Sequence, residues 1–201
     1  ALGQNFLFDL NLTDKIVKQS KPLAATIIEI GSGPGSLTRS ILKHKSATVY
    51  AIDKDIQSKK MLRELKTIYK DRLNIIVGDA MHYPIWNLGE APRQIIANLP
   101  YNVATKMLTR WLKYINYFDL LTLMFQKEVA DRLVAKPGSK NYGRLSILTN
   151  WLTESSKLFD IRSEAFIPKP KVKSSVIQLK PLSKPLYDIS FESLEKITHL
   201  A

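Results

Sequence analysis

The chain has 201 residues and carries 30 Lys and Arg against 18 Asp and Glu, a formal net charge of +12. At 45% hydrophobic and 24% charged residues it has the composition of a folded domain of moderate size, not of a disordered tail. It has no cysteine, which excludes a disulfide scaffold, a thiolate metal site and a cysteine nucleophile, and no apolar run approaches the ~20 residues of a helical membrane span.

The opening Ala1-Leu2-Gly3-Gln4-Asn5-Phe6 has neither the basic nor the apolar region of a signal peptide. Residues 26–30 read as a β-branched strand and 36–45 as a helix. Residues 48–52 form a second strand, followed by a Lys-rich helix over 56–69. Strands follow at 73–77, 94–97 and 120–125, with a helix over 104–114 between the last two. Strands alternating with helices mean βαβ units, hence an α/β fold with a mostly parallel sheet covered on both faces.

The pattern changes after Gln126. Residues 129–134 are helical, 136–141 form a basic loop with strong breakers, and 145–152 resume a helix. Residues 158–161 and 172–179 read as a closing antiparallel hairpin, with Pro168 and Pro170 confined to its connection. Pro181 and Pro185 mark a linker, so the main domain is expected over 1–183 and a linker with one helix over 184–201. That amphipathic helix, 191–200, has nothing of its own to pack on, which points to the start of a small C-terminal helical domain.

Glu29-Ile30-Gly31-Ser32-Gly33-Pro34-Gly35 lies between the first strand and its helix. Glycines there let the backbone turn tightly and approach a ligand at the carboxyl end of the strand. A dinucleotide site wants G-x-G-x-x-G. The G-x-G-x-G here, with Glu29 two residues before Gly31, is similar to the motif of S-adenosylmethionine-dependent methyltransferases. Asp53 ends the second strand, where a carboxylate accepts both hydroxyls of a ribose, and Asp55 suits the cap of the next helix. Gly78-Asp79-Ala80 places a third acid by the same crevice, in reach of an adenine amine.

Asn98-Leu99-Pro100-Tyr101 directly follows the fourth strand. An exocyclic adenine amine shares its lone pair with the ring and is a poor nucleophile. The Asn98 side-chain oxygen and the Leu99 carbonyl can accept its two N–H bonds and aim the lone pair. Pro100 fixes the turn, and Tyr101 offers a ring for a base to stack on. As an isolated tetrapeptide this is an ordinary turn; after that glycine loop it reads as an amino-methylation motif.

With these segments the chain resembles the KsgA family, the adenine-N(6),N(6) dimethyltransferases of small-subunit ribosomal RNA, over nearly its whole length. Gly3-Gln4-Asn5-Phe6-Leu7 resembles the family's N-terminal cofactor motif, which implies cofactor contacts for Gln4, Asn5 and Leu7. Segments 126–133 and 142–146 are also similar to family signatures. Phe166-Ile167-Pro168-Lys169-Pro170-Lys171-Val172 is similar to the family's Phe-x-Pro-x-Pro-x-Val loop, which implies that Phe166 closes on the target adenine opposite Tyr101. Position 53 departs from the family, being Asp where Glu is usual.

The resemblance implies a class I S-adenosylmethionine-dependent methyltransferase (Rossmann-like) fold with a mostly parallel seven-stranded sheet. It implies S-adenosylmethionine as cofactor, held by Gln4, Asn5, Leu7, Glu29, Gly31, Gly33, Asp53, Asp79, Ala80 and Asn98. Catalysis would fall to Asn98, Leu99, Pro100, Tyr101 and Phe166. The reaction implied is dimethylation of two adjacent adenosines near the 3′ end of small-subunit rRNA within a pre-ribosomal particle, by a cytoplasmic monomer with a role in ribosome biogenesis.

The basic excess fits an RNA partner through phosphate neutralisation. Arg132, Lys136, Lys140 and Arg144 surround the breaker loop, and Lys169 and Lys171 lie in the closing hairpin. Taken singly each is a solvated surface residue; taken together they are expected around the mouth where a target base enters. His44, His82 and His199 lack ligand spacing, so no metal site is expected. Three other readings stand beside this one. They are a large-subunit rRNA adenine methyltransferase of the macrolide-resistance type, an assembly factor acting mainly by binding, and, last, a nicotinamide-dependent oxidoreductase.

Overall fold

The computed structural model describes residues 5–45 and 47–200. A short strand β1 (Phe6–Leu7) leads into helix α1 (Leu10–Gln19), whose N-cap Asp9 accepts the Asn11 and Leu12 N–H groups at 2.9 and 3.2 Å. The expected βαβ units follow. They are β2 (Thr26–Ile30), α2 (Ser36–Leu42), β3 (Thr48–Asp53), α3 (Ile56–Met61), α4 (Arg63–Tyr69), β4 (Leu73–Val77), β5 (Arg93–Asn98), α5 (Ala104–Leu112) and β6 (Leu120–Gln126). Next come α6 (Lys127–Leu133), α7 (Arg144–Leu152), β7 (Thr153–Ile161), β8 (Phe166–Ile167), β9 (Ser174–Pro181) and α8 (Phe191–Leu200).

Seven strands form one sheet in the order β4-β3-β2-β5-β6-β9-β7. The strands from β4 to β6 run parallel, while β9 is antiparallel to both β6 and β7. The strand order reverses between β2 and β5, so the carboxyl ends of β2, β3 and β5 open a crevice there. Side chains alternate across the sheet. Ile28 and Ile30 pack on the face covered by α5 and α7, around Trp111 and Leu148. Ile27 packs on the opposite face with Ile16 of α1 and Ile41 of α2. Each such buried Ile or Leu contributes roughly 1.5–3 kcal/mol of transfer free energy. Among the described residues no helix is long and apolar enough to cross a membrane.

Several expectations change. Helix α1 is additional to the expected elements, with Asp9 as its cap and Thr13, Ile16 and Val17 as its buried positions. The Lys-rich helix is interrupted at Leu62, which is fully buried and packs with Leu65 against Gly35. The closing strands run over 153–161 and 174–181, and their connection contributes β8, which pairs with β1. Helix α8 has a seat after all, because Phe191 and Leu194 pack on the core and the Phe191 ring lies 6.1 Å from that of Trp151. The preceding linker is pinned there too, with Trp151 Nε1 donating to the Tyr187 carbonyl at 2.9 Å.

Candidate functional site

The crevice is built first by the glycine turn. Gly31 and Gly33 hold φ of +73° and +49°, a region that side chains other than glycine's rarely adopt. A Cβ on Gly31 would stand 3.3 Å from the Asn98 carbonyl oxygen, so the turn and the end of β5 touch. A Cβ on Gly33 would overlap the Phe6 ring. The segment 5–7 thus lies directly on the turn, held from its other edge by the β1–β8 pairing.

Asp53, buried at the end of β3, braces this turn: Oδ2 accepts the Gly33 N–H and Oδ1 the Asp55 N–H, both at 2.9 Å. Asp55 caps α3 through Gln57 N–H. At the end of β4, Asp79 accepts Met81 N–H at 2.9 Å and the Lys54 ammonium at 3.0 Å. These bonds hold its carboxyl below the usual range, the Met81 amide contributing most. Between Asp53 and Asp79 opens a cavity of about 210 Å³ with apolar walls from Ile30, Ile52, Ala80 and Met107. It suits a flat heteroaromatic ring with a polar rim.

A smaller pocket lies between the turn and β1, lined by Glu29, Ser32, Phe6, Leu7 and Asn98. Glu29 is fully buried and receives Thr38 Oγ1 at 2.5 Å. Burial pushes its carboxyl up to about 8, and the nearby Asp53 charge adds to the rise. Ser32 Oγ is buried there with no partner among the described residues. A neutral acid and an unpaired hydroxyl form a donor-and-acceptor set of the kind an amino-acid head group satisfies. The apolar-walled cavity, the braced turn and this pocket together fit S-adenosylmethionine, whose adenine, ribose and methionine parts match them in turn.

A third recess joins the second through Asn98, with Asn5, Phe6, Leu99, Pro100 and Tyr101 around it. The Tyr101 hydroxyl is hydrogen-bonded to Ser174 Oγ, which fixes the ring from β9. Burial raises the Tyr101 pKa, so the phenol stays neutral. Asn98 Nδ2 donates to the Asn5 carbonyl at 2.8 Å.

Of the sequence-derived residues, Asn5, Leu7, Glu29, Gly31, Asn98, Leu99, Pro100 and Tyr101 meet around the two smaller recesses, and Asp53, Asp79 and Ala80 line the cavity. Gln4 lies outside the described residues. Phe166 is corrected. Its side chain is buried among Leu7, Ile16 and Val176, because β8 alternates, turning Phe166 inward and Ile167 outward. A ring committed to the core offers no face to a base here.

The basic residues are also redistributed. Lys136 lines a cavity with Thr153, Leu182 and Leu186, where β7 begins and β9 ends, at the opposite sheet edge from Asn98. Arg144 bonds Glu195 and His199 and so fastens α8 to α7. Arg132 pairs with Glu128 at 2.5 Å and Lys169 with Glu164 at 2.6 Å. Lys140 and Lys171 are exposed and have no ion-pair partner among the described residues. Lys127 and Lys173 flank an open groove at the carboxyl edge of the sheet, where Lys173 carbonyl also accepts Lys127 N–H. Sequence reasoning missed Phe6, Ser32, Lys54, Met107 and Ser174. Only Phe6 and Ser32 carried a local signal, sitting inside motifs already singled out.

A family model described as ribosomal RNA adenine dimethylase matches residues 1–201. The ribosomal RNA small subunit methyltransferase A of Rhodospirillum rubrum is 49% identical over 202 residues, covering all of this chain and 70% of the relative. Its namesake in Paramagnetospirillum magneticum is 46% identical over 202 residues, covering all of this chain and 72% of the relative. Among solved structures, a dimethyladenosine transferase from Plasmodium falciparum matches with a TM-score of 0.77 at 28% identity, over 88% of this chain and 63% of that one. The 23S rRNA methyltransferase ErmE matches in fold, with a TM-score of 0.79 at 24% identity over 98% of this chain and 78% of that one.

Proposed function

Because the chain belongs to the ribosomal RNA adenine dimethylase family, we propose that it dimethylates the N6 amines of adenosines in small-subunit ribosomal RNA, on a class I methyltransferase fold. The substrate is two adjacent adenosines near the 3′ end of that RNA, presented in a pre-ribosomal particle in the cytoplasm to a single copy of the protein.

S-adenosylmethionine, when bound, supplies an electrophilic methyl group on a sulfonium, so no strong base is required of the protein. The cavity walls at Ile52, Ala80 and Met107 would take its adenine, with Asp79 at the rim and Asp53 towards the ribose. Glu29 and Ser32 would take its amino-acid end beneath Phe6 and Leu7.

The observation that carries the reading is the placement of Asn98 where the glycine turn meets the end of β5. From there its Oδ1 and the Leu99 carbonyl accept the target amine. As the amine nitrogen gains a fourth bond its N–H groups become more acidic, so both acceptors bind the transition state more tightly than the ground state. Tyr101, held by Ser174, stacks the base, and Pro100 keeps the turn rigid.

The test is transfer of labelled methyl from S-adenosylmethionine to undermethylated small-subunit particles. Dimethyladenosine is expected with wild type and a loss of at least a hundredfold with Asn98→Ala. Cofactor binding without transfer to particles would overturn the substrate assignment.

A further inference from the structure

The nitrogen end of the Asn98 side-chain amide is committed. Nδ2 donates to the main-chain carbonyl of Asn5 at 2.8 Å, across 93 residues of sequence. A carbonyl can only accept, so this contact fixes which end of the amide is nitrogen. Among the described residues no donor reaches Oδ1, which is left for a ligand N–H.

The Asn5 carbonyl is itself held in place. The next residue, Phe6, lies on Gly33, and Leu7 is buried and paired with Phe166. An aspartate at position 98 would also offer an acceptor to the amine. In this chain an aspartate would also have to face Asn5. Two acceptor oxygens would then meet at hydrogen-bond distance with no proton between them, in a part-buried site.

We infer that the Asn5 carbonyl is a positioning group that selects asparagine and excludes ionised aspartate at position 98. This rests on the reading of Asn98 as the amine acceptor. A protonated carboxyl would satisfy both contacts, because its O–H can donate to Asn5 and its C=O can accept the amine. Asn98→Asp should therefore work only when neutral.

The groups around position 98 make that ionisation difficult. Glu29 on β2 shares its pocket, and Tyr101 follows it on the turn. From β6 it is paired with Met124, and β1 and β8 present no titratable side chain. Among the described residues no cation lines either recess.

The experiment measures methyl transfer by wild type, Asn98→Asp and Asn98→Ala between pH 6 and pH 8.5, with cofactor affinity measured alongside. At pH 8.5 Asn98→Asp should fall at least a hundredfold below wild type. Relative to wild type it should recover at least tenfold by pH 6, while the Asn98→Ala ratio stays flat. A flat Asn98→Asp ratio, or full activity at pH 8.5, overturns the inference and leaves the acceptor role intact. Full activity of Asn98→Ala overturns the acceptor role itself.

Hydrogen exchange gives a check independent of activity. In Asn98→Ala the amides of residues 6–8 should exchange at least tenfold faster, since the segment has lost its tie. Unchanged exchange there overturns the inference.

Discussion

Asp53 and Gly33 are joined by a hydrogen bond of 2.9 Å from the glycine N–H to the carboxylate, between the end of one strand and the turn that leaves its neighbour. The acid that ends β3 is therefore a brace for the glycine turn as well as a wall of the cavity. Asp53→Ala should lose roughly 1–3 kcal/mol of stability, the cost of leaving buried N–H groups unpaired. Cofactor affinity should fall at least tenfold. Denaturant unfolding and calorimetric titration measure the two effects, and intact stability with lost affinity would confine Asp53 to ligand contact.

Glu29 sets a pH dependence of known sign. Its carboxyl is raised from an ordinary 4.5 to about 8 by burial, so between those values the folded chain holds a proton that the unfolded chain has released. Stability from this group is full below about 4.5 and is lost as pH rises towards 8. Glu29→Gln, which cannot ionise, should unfold several degrees above wild type at pH 8.5 and much closer to it at pH 5. Thermal melts at the two pH values decide this.

Tyr101 separates ring from hydroxyl. Tyr101→Phe keeps the stacking face and loses only the bond to Ser174, so methyl transfer should drop a few fold. Tyr101→Ala removes the face, and a base stack worth roughly 1–3 kcal/mol corresponds to a loss of about 5- to 150-fold. Steady-state assays on particles resolve the two.

Phe166 tests its burial. If the ring serves the core, Phe166→Leu should retain activity within a few fold. Phe166→Ala should cost roughly 3–5 kcal/mol of stability through the cavity it leaves. A stacking role would instead show as lost activity in Phe166→Leu with stability kept.

The basic residues divide by sheet edge. Lys171→Ala should weaken RNA binding and lower the slope of log affinity against log salt by about one. Lys136→Ala, at the far edge, should leave both unchanged. Binding titrations at several salt concentrations distinguish the two lysines.

The legible part of this molecule is what neighbours in sequence build. The glycine turn, the acids at the ends of β3 and β4 and Asn98 to Tyr101 are short runs next to strands, so their place follows once the strands are found. What stayed hidden depends on distant partners. The tie of Asn98 to Asn5 spans 93 residues and that of Tyr101 to Ser174 spans 73, and no local pattern announces either. The inward turn of Phe166 follows from its pairing with Leu7, across almost the whole chain. The place of the loop around Lys136 is not legible, because charge gives no direction along a sheet.

The insertion of β9 between β6 and β7 has a consequence for synthesis on the ribosome. Until residues 174–181 emerge, β6 keeps a bare edge and β7 has no partner in the sheet. Ser174, the first residue of that strand, is also the prop of Tyr101. Sheet closure and the propping of Tyr101 are thus one event, which waits on residues 174–181. A nascent chain stopped short of it has an unprotected sheet edge and a Tyr101 hydroxyl without its Ser174 partner.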